Sequence, residues 1–95
     1  MEAFGDLRGH VVTARVWVDP RAAVGIKVFV QTGVRYWWAD GGQVTPPPGQ
    51  WSCVTLDIDN PIYSRIQYDP TDVTVLGLEL QTTGTGRVYI DQVAY

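Results

Sequence analysis

An all-β, antiparallel sandwich is the fold class that this sequence predicts, and three features predict it. Apolar and polar residues alternate with period two through most of the chain. Gly, Pro and Asp interrupt that alternation at short spacing, as turns between short strands do. A helical repeat of apolar positions is nearly absent. The 95 residues suffice for one domain with a modest core, residues 1–95 forming a single module.

The first strand is predicted over Val11 to Val18. Val12, Ala14, Val16 and Val18 point one way; Thr13, Arg15 and Trp17 point the other. Asp19 and Pro20 end it, because proline donates no ladder bond. The second strand covers about Gly25 to Gln31, with Ile26, Val28 and Val30 on one face and Lys27, Phe29 and Gln31 on the other. Thr32 to Gly49 reads as a turn region. It contains the aromatic run Tyr36, Trp37 and Trp38, then Asp40-Gly41-Gly42, then three prolines that force an extended path without ladder bonds.

Trp51 to about Ile58 is the third strand, broken by Asn60 and Pro61. Asp69-Pro70-Thr71-Asp72 predicts a single helical turn with an Asp cap. The fourth strand is Val73 to Thr82, with Leu76, Leu78 and Leu80 as its buried face. Thr83 to Gly86 is a turn. The last strand runs from Arg87 to about Ala94, with Val88 and Ile90 inward. This gives five strands, with room for a sixth, where a complete two-sheet sandwich usually has about seven or more.

Composition narrows the partners. A formal charge of -3 and scattered Lys and Arg argue against nucleic acid, which needs a basic footprint. No apolar run nears the length of a membrane helix, so no membrane partner is expected. Cys53 and His10 each stand alone, which excludes a disulfide framework and a multi-cysteine metal site. The opening Met-Glu-Ala-Phe-Gly has no basic and apolar leader pattern, which fits either a cytosolic protein or a segment of a longer precursor.

Six stretches taken in order, "DLRGHVVTARVWVDP", "KVFVQTG", "WWADGG", "PGQWSCVTLDI", "YDPTDVTVLGLELQ" and "TGTGRVYIDQVAY", resemble the β-jelly-roll carbohydrate-binding modules of bacterial mannanases, cellulases and xylanases. The resemblance covers about residues 6 to 95. It implies a jelly-roll, galactose-binding-like sandwich, secreted beside a glycoside hydrolase and binding a polysaccharide or oligosaccharide. Such modules begin with further strands ahead of the "DLRGH"-like segment, so the chain reads as truncated relative to the full fold. Missing strands would leave open edges, and a homo-oligomer formed through those edges is expected; a sandwich that closes on itself as a monomer is the alternative. Asp91 in "VYIDQV" matches an Asp that helps hold a structural calcium in many of these modules. Calcium needs six to eight oxygens, and the other ligands have no counterpart here, so no cofactor is expected beyond that possible ion.

A sugar ring has an apolar face of C–H groups edged by hydroxyls. Aromatic rings supply stacking area, while amides, carboxylates and guanidinium groups pair with the hydroxyls. Alternation places Arg15, Trp17, Lys27, Phe29, Gln31, Glu79 and Gln81 on outward faces, read as one surface, with Tyr36, Trp37 and Trp38 at its rim. Arg15, Trp17, Phe29, Gln31, Tyr36, Trp37, Trp38, Glu79 and Gln81 are therefore the candidate ligand-binding residues, with Asp91 the candidate metal ligand. In an extended run, Trp37 and Trp38 point to opposite sides, so only one of them faces a ligand. Outward polar residues are also the ordinary covering of a solvated sheet. Trp51, at a strand start, is expected to plug the core, and Tyr63 and Tyr68 could line a cleft. Asp57 and Asp59 read as a solvated edge that discourages aggregation. A glycosidase would need paired carboxylates across a cleft, and a thiol nucleophile would need Cys53 beside His10; neither pattern is specific here, and no enzyme is expected.

Overall fold

A computed structural model describes residues 4–21, 23–83 and 86–95. The expected turn at Thr83 to Gly86 includes residues 84–85, which lie outside the described residues, as does the opening Met-Glu-Ala. The described strands are β1 (Val11–Val18), β2 (Ala23–Thr32), β3 (Trp37–Asp40), β4 (Trp51–Asp57), β5 (Tyr63–Ser64), β6 (Val73–Thr83) and β7 (Val88–Ala94). Two antiparallel sheets pack together as a β-sandwich, one ordered β4-β1-β7 and the other β5-β3-β2-β6.

Alternation builds the interior. Val12, Ala14, Val16 and Val18 of β1 are fully covered, and so are Val24, Ile26, Val28 and Val30 of β2. Branched side chains suit a pleated surface, and burying each one removes apolar area from water. Val54, Leu56 and Ile58 close the core from β4 and its continuation, and β2 lies across from β1 and β4.

Two expectations change and one holds. "WWAD" is not loop but β3, held by four register pairs to β2 from Phe29↔Asp40 to Thr32↔Trp37. Asp69 to Asp72 does form the expected single capped turn, with Asp72 N donating to Asp69 O at 3.1 Å. The Asp69 carboxylate caps it by accepting from Thr71 N at 2.9 Å. Trp51 is not a core plug; it is 44% exposed on the outside of β4.

The inner faces of β6 and β7 are only partly covered. Leu80 shares the face of its partner Ile26, and Ile90 that of Val16, yet they are 42% and 46% exposed. Both strands are the outermost of their sheets, so the opposite sheet stops short of these side chains. Val93, paired with Ala14, is 43% exposed for the same reason. Near this margin, Gly5 pairs with Val73 and the Phe4 ring meets Tyr95 edge-on at 5.4 Å.

Candidate functional site

The predicted surface is two surfaces. Lys27, Phe29, Gln31, Trp38, Glu79 and Gln81 belong to the four-stranded sheet, whereas Arg15 and Trp17 belong to the three-stranded one. The outward faces of a sandwich look away from each other, so these groups cannot meet one ligand together. Trp37 and Trp38 diverge as expected: Trp37 pairs with buried Thr32, while Trp38 pairs with Gln31 and takes the outer face. Tyr36 lies in the β2–β3 turn, exposed, with a left-handed φ of 56°.

On the four-stranded face the side chains satisfy one another. Phe29 and Trp38 stack at 4.2 Å with an interplanar angle of 11°. The Phe29 ring fills the space above Gly77, where a Cβ would sit 2.7 Å from Cζ. Trp38 Nε1 donates to Asp40 Oδ2 at 2.7 Å, and Gly42 N donates to Asp40 Oδ1 at 2.8 Å. Lys27 Nζ lies 3.8 Å from Glu79 Oε1. These rings and charges pair with one another across their own sheet.

The three-stranded face differs. Register pairs Trp17 with Trp51 on one side and with Tyr89 on the other. Three aromatic side chains therefore stand in a row across β4, β1 and β7, lining an open depression of about 340 Å³. Trp17 and Tyr89 have ring centroids 5.6 Å apart and tilted by 55°, so neither covers the other's face. Two inter-strand steps give the row a length of roughly 10 Å.

A charged pair borders the row at its Trp51 end. Arg15, two residues before Trp17, places its guanidinium carbon 5.0 Å from the centroid of the Trp51 ring and its Nη1 3.4 Å from Asp91 Oδ2. A β-bulge makes this pair possible. Arg15 pairs with Gln92 and Val16 with Ile90, so Asp91 is the extra residue of β7. Beyond Trp17, the Asp19 carboxylate accepts from Arg21 at 3.0 Å (Nη2 to Oδ2) and 2.8 Å (N to Oδ1). The Arg21 side-chain bonds, then its backbone bond, lower the Asp19 pKa to about 2. Asp19 N donates to Arg87 O at 2.9 Å, and Arg87 Nη1 donates to the Tyr89 hydroxyl at 3.4 Å.

Among the described residues no three His, Cys, Asp or Glu gather to hold a metal ion, and the Asp91 carboxylate faces Arg15. Cys53 is exposed and pairs with Arg15 across β1 and β4. Tyr63 is exposed on the short edge strand β5. Tyr68 is a strut: its hydroxyl donates to Ile58 O at 2.9 Å, and burial first, then Asp59, Asp57 and Asp69, push its pKa up to about 12. Asp59 accepts from Gly9 N at 2.8 Å and Asp57 from Asp59 N at 3.0 Å, so these acids brace loops beside the β4 edge.

Trp51 and Tyr89 were absent from the expected site, although parity could have found them. Val54 and Leu56 point inward, so Trp51 must point outward; Val88 inward puts Tyr89 outward. No protein-family model, curated protein or solved structure matches this chain, so its candidate site is the one that its own geometry defines.

Proposed function

We propose that this protein is a non-catalytic carbohydrate-binding module for β-linked plant polysaccharide (mannan, glucan or xylan) and serves as a secreted accessory of a glycoside hydrolase. The observation that carries this reading is the open row of Trp51, Trp17 and Tyr89. Three exposed or half-exposed rings at strand spacing offer a rigid apolar strip of the kind that C–H faces of sugar rings stack upon. The bordering Arg15 and Asp91 supply donors and acceptors for hydroxyls. The ordered resemblance to jelly-roll binding modules points the same way.

Affinity electrophoresis through gels containing mannan, xylan, mixed-linkage glucan or soluble cellulose tests it. Retardation on at least one polymer, lost in Trp17→Ala, is expected. Unretarded migration of the folded protein on all of them would overturn the reading.

A second reading, a structural, self-associating sandwich without sugar binding, is favoured by the half-exposed Leu80, Ile90 and Val93 on the inner faces of the outermost strands. Free strand edges beside uncovered apolar side chains are where another chain adds. Light scattering after size-exclusion chromatography separates the two readings: a concentration-independent oligomer that migrates unretarded in every gel fits only the second.

A further inference from the structure

We infer that Asp91 sets the charge of the aromatic row, so that the row takes neutral glycans and refuses acidic ones. This rests on the carbohydrate reading above and adds the ligand class and the residue that decides it.

The Arg15 guanidinium is the group poised to meet a ligand at the Trp51 end of the row, lying over that ring at 5.0 Å. An uncompensated guanidinium beside an apolar platform would favour a uronic acid, because a planar cation pairs its N–H groups with a carboxylate. Arg15 is compensated. Asp91 Oδ2 lies 3.4 Å from its Nη1, and both side chains are about half exposed, 50% and 53%. A pair this exposed contributes little to stability, so its effect on the fold does not account for its placement. The β7 bulge exists at this one point of the β1–β7 ladder and brings the carboxylate to Arg15.

A ligand stretched along Trp51, Trp17 and Tyr89 thus meets a guanidinium and a carboxylate together at the Arg15–Asp91 flank. A hydroxyl both donates and accepts, so a neutral polyol matches such a pair. A carboxylated sugar gains one contact with Arg15 and faces repulsion from Asp91. The chain's formal charge of -3 adds no long-range attraction for a polyanion.

The test uses the whole chain and four gels: mannan, xylan, mixed-linkage glucan and polygalacturonate. The wild type is expected to be retarded on a neutral polymer and not on polygalacturonate. Asp91→Asn keeps the shape, removes the negative charge and is expected to gain retardation on polygalacturonate, with about tenfold tighter binding. Asp91→Glu, which restores the charge, is expected to keep the wild-type preference. Trp17→Ala should weaken every interaction by about tenfold or more. Retention of the wild type on polygalacturonate as strong as on neutral polymers, or an Asp91→Asn variant with unchanged preference, would overturn the inference while leaving carbohydrate binding intact. A folded wild type retarded on none of the four would overturn the carbohydrate reading itself, and this inference with it. Thermal unfolding of each variant separates altered preference from lost structure.

Discussion

Replacing Gly41 by alanine is expected to destabilise the protein by about 3 kcal/mol, the upper end of what overpacking costs. Gly41 sits where the end of β3 meets the opposite sheet. A Cβ there would overlap the Thr55 carbonyl oxygen and crowd the Leu56 Cα, both backbone atoms of β4. A flexible side chain could swing away, but strand backbone cannot, because β4 is locked to β1 along seven register pairs. Gly41 N also donates to Val28 O at 3.0 Å, so the loop cannot withdraw without breaking a ladder bond. Urea unfolding checks the result: the midpoint should fall while the slope stays unchanged. Gly42→Ala, next in the chain, faces the Ile62 side chain at 3.3 Å instead of backbone and should perturb packing less, its cost arising from a φ of 82°.

A larger loss, about 4 kcal/mol, is expected for Ile26→Ala. Ile26 is fully buried in β2, an inner strand of its sheet. It pairs with Leu80 on one side; on the other, its backbone exchanges two 2.8 Å hydrogen bonds with Val44. With β6 on one flank and the Val44 bridge on the other, the backbone cannot collapse into the vacated space, so most of the cavity persists. Domains of this size are stable by roughly 5–15 kcal/mol, so the variant should be close to unfolded at the bottom of that range. Leu80→Ala is the internal comparison. It removes the same number of carbons from the same face of the sheet, but at a site already 42% exposed, and should cost about 1 kcal/mol. Equal losses at the two positions would mean that the margin of the sandwich is covered in solution.

Most strands were legible because their information is local. The valines of β1 and β2 alternate without interruption, and their inward sets are buried as parity requires. β3 was not legible. Trp37 to Asp40 sits between a turn and two glycines, and its strand character comes from pairing with β2, which no local pattern encodes. The candidate site failed for a related reason. Alternation says whether a side chain points in or out of its own strand but not which sheet the strand joins, so Arg15 and Trp17 were placed beside Phe29 and Gln31 when the sandwich puts them on opposite sides. Trp51 was expected inside from the resemblance and its place at a strand start, and strand parity overrides both. Asp91 could not be placed beside Arg15 because a bulge shifts register by one residue, and such a shift has no signature in the alternation of a single strand.

The tryptophans divide evenly between the layers. Trp17 and Trp51 stand on the outside of one, while Trp37 and Trp38 belong to the other, with Trp38 resting on Phe29. Intrinsic emission is therefore two signals in one spectrum. A guest lying on the first pair shifts and quenches that pair's share of the emission, while the second pair reports the integrity of the opposite layer as an internal reference in the same cuvette.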